Sequence, residues 1–71
     1  MQYAFVIEHA EGTNYSAYVP DLPGCVSTGG TLEEVQRNMR EAIQFHLRGM
    51  REDGDPIPAP TTHVAYADVA A

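Results

Sequence analysis

The chain has little of what a small domain ordinarily uses to hold itself together or to grip nucleic acid. It has one cysteine, Cys25, in seventy-one residues. An internal disulfide is therefore excluded, and so is a cysteine-rich zinc cluster. Basic residues number four, all arginine, against ten acids, for a formal net charge of −6. Their placement is more restrictive than the total. Residues 1–31 carry Glu8, Glu11 and Asp21 and no lysine or arginine at all. A nucleic-acid binder needs a basic patch to displace phosphate counterions; none can be assembled here, so no direct nucleic-acid partner is expected. An acid-rich surface suits a basic protein instead. No apolar run approaches the roughly 18 residues of a membrane span or the layout of a signal peptide. With a lone thiol, the expected setting is the reducing cytoplasm, and no membrane partner is expected.

Shortness sets a second constraint. A chain of this length buries only about 60% of the surface it exposes when unfolded. Against roughly 1.5 kcal/mol of ordering entropy per residue, its core alone comes out near break-even. With disulfide and metal staples absent, self-association is the expected remedy, and the protein is expected to be a homo-oligomer.

Periodicity gives the elements. Gln2–His9 reads as a strand with Tyr3, Phe5 and Ile7 on one face. Glu11-Gly12-Thr13-Asn14 is turn chemistry, and Tyr15–Val19 reads as the returning strand of a hairpin. Pro20-Asp21-Leu22-Pro23-Gly24 breaks the ladder, because proline cannot donate a backbone hydrogen bond. Cys25–Thr28 forms a short third strand closed by Gly29-Gly30.

Thr31-Leu32-Glu33-Glu34 is a capping box and opens a helix expected to run to about Asp53, where Gly54 and Pro56 stop it. Leu32, Val35, Met39, Ala42, Ile43, Leu47 and Met50 make one apolar arc. Arg37, Arg40, Arg48 and Arg51 lie opposite, interleaved with Glu33, Glu41 and Glu52, as on a solvated face. Two residues break this pattern. His46 sits inside the arc, as a hydrogen-bonded core or interface residue does. Phe45 sits outside it, either as an incidental exposed aromatic or as a contact with a second subunit. After Pro56-Ile57-Pro58-Ala59-Pro60, a stiff extended connector, Thr62–Val69 alternates weakly and reads as a last strand. The whole chain, 1–71, is then one α+β domain of order β-β-β-α-β, an antiparallel sheet with one helix on one face.

Enzyme chemistry finds no motif. His9, His46 and His63 are isolated and lack metal-ligand spacing, so no metal and no cofactor is expected. Cys25 has no neighbouring base to lower its pKa and reads as a small buried strand residue. Gly29-Gly30-Thr31 lacks the lysine of a phosphate loop. Glu8, Asp21 and Asp68 are the acids from which a residual metal-dependent nuclease would have to be built, and nothing in their spacing makes them converge.

The order Tyr18-Val19-Pro20-Asp21-Leu22-Pro23-Gly24-Cys25-Val26-Ser27-Thr28-Gly29, then Thr31-Leu32-Glu33-Glu34, Asn38, Ala42-Ile43, Phe45-His46-Leu47, Asp53-Gly54 and the proline connector, resembles the N-terminal domain of HicB-type antitoxins. The likeness runs over nearly the whole chain. It implies a partial, degraded ribonuclease-H-like fold without that fold's catalytic acids. It also implies a homo-oligomer that binds and masks a small basic mRNA-cleaving toxin of the HicA type. By this resemblance the Pro20–Gly24 loop and the first hairpin are structural or partner-facing, which makes Glu8, Glu11, Asp21, Leu22 and Pro23 the candidate partner-binding residues; Phe45 and His46, from their places on the helix, are the candidates for an oligomer interface. Two features depart from the family pattern. Gly30 stands where many members have an acid. The C-terminal DNA-binding domain of full antitoxins does not follow the last strand, so autorepression by this chain is not expected. The alternative is a solitary oligomeric module with a different protein or small-molecule ligand.

Overall fold

A computed structural model describes residues 1–70. Three strands precede one helix: β1 (Val6–His9), β2 (Tyr15–Tyr18), β3 (Val26–Gly29) and α1 (Leu32–Glu52). The sheet is antiparallel in the order β1-β2-β3. The β1–β2 hairpin closes through Thr13, whose amide and hydroxyl both donate to Ala10 O (3.0 and 2.7 Å). Gly12 takes the positive φ of the turn, +79°. His9 and Tyr15 oppose each other in the register and stack with centroids 3.8 Å apart.

β1 is shorter than the alternation of residues 2–9 implies. The register sets Val6 against Tyr18, which places Ala4 opposite Pro20. That proline has no N–H to give, and the Val19 amide is already committed to Cys25 O (3.1 Å). The ladder therefore ends at Val6, and Val19 belongs to the loop rather than to β2.

The helix begins and ends as its local chemistry dictates. Thr31 is the N-cap and its hydroxyl accepts from Glu34 N at 3.0 Å. The Glu34 carboxylate reaches back to Gly30 N at 2.9 Å, one residue further than the usual reciprocal bond. At the far end Gly54 (φ +74°) donates to Arg51 O and Asp55 to Met50 O, a Schellman closure. Val35 and Met39 are fully buried and Leu47 nearly so; Leu32, in the first turn, is half-exposed.

The helix lies over β3 and, to a lesser extent, β2. Between them is a small core of Ala17, Val19, Leu22, Cys25, Val35, Met39 and Leu47. Tyr3, Phe5, Ile7, Ile43 and Ile57 pack around it. No helix among the described residues is long and apolar enough to cross a membrane.

The expected fourth strand over Thr62–Val69 is not formed. Residues 55–70 make no ladder in this chain. The connector docks through Ile57, and Pro58 O accepts the Tyr3 hydroxyl. Thr62–Val64 then run beside Gln2–Phe5, but an open cleft of about 640 Å³ separates the two segments. Further on, nothing covers the side chains: Val64 is 57% exposed, Tyr66 95% and Val69 82%. A strand without buried partners cannot offset the entropy of ordering it. The observed order is thus β-β-β-α followed by an extended arm.

Candidate partner-binding surface

Because α1 covers one face of the sheet, the other is bare. The paired registers place Val6, Tyr18 and Val26 in one row across all three strands, and Glu8, Ser16 and Thr28 in the next. Tyr18 is 43% exposed and Val26 64%. The second row is exposed throughout, and the exposed Glu11 projects from the hairpin turn at its end. The face therefore combines an apolar stripe with carboxylates, and no lysine or arginine occurs in residues 1–31 to neutralise them. All four arginines are exposed on α1.

The structure separates the five residues expected to face a partner. Glu8 and Glu11 are exposed on or beside the bare face, and Pro23 is exposed on the loop. Leu22, with 0% of its surface exposed, lies in the core, the structural role that its loop could also take. The loop from Val19 to Cys25 folds over it through three turn bonds, Leu22 N to Val19 O, Cys25 N to Leu22 O and Val19 N to Cys25 O. Gly24, at φ +84°, turns the chain into β3.

Asp21 is engaged within its own chain. Its Oδ2 accepts from the amides of Thr61 (3.1 Å) and Thr62 (3.0 Å), and its Oδ1 from both hydroxyls (3.0 and 2.9 Å). One carboxylate thus fastens the connector to the β2–β3 loop. Thr61 and Thr62 were not singled out by sequence reasoning, since forty residues separate them from Asp21 and no local pattern links the two.

The Thr62 amide is the largest influence on Asp21 and holds its pKa below the ordinary 3.8; partial burial opposes this, and the remaining three bonds reinforce it. A depressed carboxylate pKa stabilises the fastening at pH above the unfolded value, and the effect is lost as pH falls through the folded value. The amides of Thr61 and Thr62 should therefore be protected from hydrogen exchange at about pH 6. That protection should weaken in acid below pH 3.8. In Asp21→Asn both amides should be exchange-labile with no acid transition. An unchanged acid transition in that variant would assign the effect to another group.

Phe45 is 75% exposed, and beside it His46 is half-buried. Both line an open cleft of about 620 Å³ between α1 and the start of β3, with Pro23, Val26 and Asp53 on its walls. Cys25, 3% exposed, sits at the base of this region, and burial pushes its thiol pKa up, away from a reactive thiolate. Glu8, Asp21 and Asp68 are not gathered. Among the described residues no three His, Cys, Asp or Glu side chains form a set that could hold a metal ion.

Fold and surface together define a small α+β domain, one sheet with a helix on one face and a bare, acid-bearing face opposite. Residues 3–69 match the family described as HicB_like antitoxin of bacterial toxin–antitoxin systems. A 14.9 kDa protein of the rep–hol intergenic region of Haemophilus phage HP1 is 47% identical over 58 residues, 82% of this chain and 43% of that protein. A UPF0150 protein of Archaeoglobus fulgidus is 36% identical over 66 residues, covering 90% of this chain and 96% of its own length. Among solved structures, a chain of the "HicA3 and HicB3 toxin-antitoxin complex" superposes with a TM-score of 0.66 at 30% identity, over 83% of this chain and 66% of that one. The chain belongs to the HicB-like antitoxin family of bacterial toxin–antitoxin systems. It spans under half the length of the phage relative and about two thirds of the structural one.

Proposed function

We propose that this chain is the toxin-masking domain of an antitoxin: a homo-oligomeric cytoplasmic protein without enzymatic activity, which binds a small basic mRNA-cleaving toxin of the HicA type. The observation that carries this reading is the bare sheet face. A stripe of half-buried Val6 with exposed Tyr18 and Val26, beside Glu8 and Glu11 and with no lysine or arginine in the first 31 residues, fits a basic partner with apolar patches. Carboxylates at the rim speed encounter with such a partner, while the apolar row sets the dissociation rate. The solved complex supports the same reading, since the matched chain there is held with a toxin.

The test is RNA cleavage by a HicA-type toxin, with and without this chain at equimolar concentration. Cleavage should be suppressed, and Tyr18→Arg should weaken the suppression about tenfold, equivalent to about 1.4 kcal/mol of affinity. Tyr18 is exposed, so its replacement leaves the core intact. Cleavage unaffected by stoichiometric chain would overturn the reading in favour of a solitary module with another ligand.

A further inference from the structure

We propose that the C-terminal arm, His63–Val69, is an exchanged strand: the arm of one copy adds to the free edge of β1 in a second copy, and the second copy's arm does the same in return. This deepens the homo-oligomer part of the functional reading and does not depend on the toxin.

Four observations carry it. The first is the arm itself. Within its own chain it is fixed only as far as Thr62, by Asp21. Past that point come three large apolar side chains at 57%, 95% and 82% exposure, crowded into six residues. A single exposed apolar residue needs no explanation, but a run of them on an extended segment marks a contact surface. The second is reach. The chain measures 48 Å along its longest axis. The 21-residue helix accounts for about 31 Å of this at 1.5 Å per residue. Seven extended residues span at most about 23 Å, more than the length of β1.

The third observation selects the edge. A three-stranded sheet has two outer edges, each with a row of backbone groups able to template another strand. On the β3 edge the Thr28 carbonyl is already engaged, accepting from Asn38 Nδ2 of α1 at 2.9 Å, so a strand arriving there would have to displace that bond. β1 pairs with β2 alone, so its other side is the open edge among the described residues. The arm already enters on this side, beside Gln2–Phe5.

The fourth selects the occupant. The arm has no lysine or arginine and one acid, Asp68, so charge gives it no claim on a basic toxin. The chain's own shortage is apolar burial, with a core of seven residues. Exchanging identical elements about a two-fold axis supplies that burial twice over, at little added cost. Tyr66, packed across the partner's β1, is the anchor.

Light scattering and sedimentation on the full chain test this, with Val64→Asp and Tyr66→Glu as variants. Both positions are exposed in the single chain, so each variant should keep the helical circular dichroism signal of α1. The wild type should be a dimer or a multiple of one at micromolar concentration, and either variant should raise its dissociation constant at least tenfold. In a mixture of isotope-labelled and unlabelled chains, contacts between Tyr66 and β1 should appear between copies. A wild-type monomer at about 100 µM, a dimer indifferent to Tyr66→Glu, or arm–β1 contacts confined to single chains would each overturn the proposal. Because no toxin enters the experiment, its failure is separable from failure of toxin masking.

Discussion

Gly29→Ala should destabilise the domain by about 3 kcal/mol, although it adds only one methyl group. The residue is the last of β3, where the first turn of α1 is seated directly on the sheet. A β-carbon there would meet Val35 N at 2.5 Å, Val35 Cα at 2.9 Å and the Glu34 carbonyl carbon at 3.0 Å. All three are helix backbone, so relief requires lifting the helix N-terminus, which carries the Thr31 cap and the fully buried Val35. The neighbouring Gly30 supplies the control. A β-carbon there would approach nothing closer than the tip of Glu34, at 3.9 Å. Chemical denaturation of the two variants should show Gly30→Ala within about 0.5 kcal/mol of wild type and Gly29→Ala with a markedly lower midpoint. Similar midpoints would mean that the helix is not seated on Gly29.

Leu22→Ala should cost about 3 kcal/mol as well, by the opposite route of leaving a cavity. A domain of this length has a total stability of roughly 5 kcal/mol, so the variant should retain only about 2 kcal/mol and melt well below the wild type. The side chain is wholly enclosed beneath its own loop, against a core of only seven residues, and few neighbours can relax into the space. Pro23→Ala, one position along and exposed, should be close to neutral. Thermal melts of the pair decide the matter. They also guard against a misreading: a Leu22→Ala protein that binds toxin more weakly while melting far below the wild type has lost the packing beneath its loop, not an exposed contact. A Leu22→Ala protein melting with the wild type would refute the buried-anchor assignment.

What could be read from the sequence follows the range of the interactions involved. The helix was legible from Thr31 to Gly54, because its caps lie within four residues of the groups they satisfy and its apolar arc repeats every turn. The hairpin was legible for the same reason. The curtailment of β1 at Val6 was not, although Pro20 was in plain view. Its effect appears only once the register is known, because that register decides which residue faces the missing donor. The fourth strand was misjudged because alternation reports what a segment can pair with, and the pairing site itself is distant in sequence. Asp21 shows the limit most clearly. Its loop stands out in the sequence as a structural or partner-facing element, whereas its bonds to Thr61 and Thr62 are visible only in three dimensions. On the bare sheet face, Glu8 and Glu11 were anticipated, while Val6, Tyr18 and Val26 emerged as one row only through the cross-strand registers.

The bond from Asn38 to Thr28 has a consequence for how large an assembly can grow. A sheet with both edges open is a monomer unit for polymerisation: each added strand exposes a fresh edge, and growth has no natural end. With the Thr28 carbonyl bonded to Asn38 of α1, a strand arriving at the β3 border would first have to displace that bond. The β1 border carries no such obstacle among the described residues. One side-chain amide thereby makes the two borders of the sheet unequal as templates for a further strand.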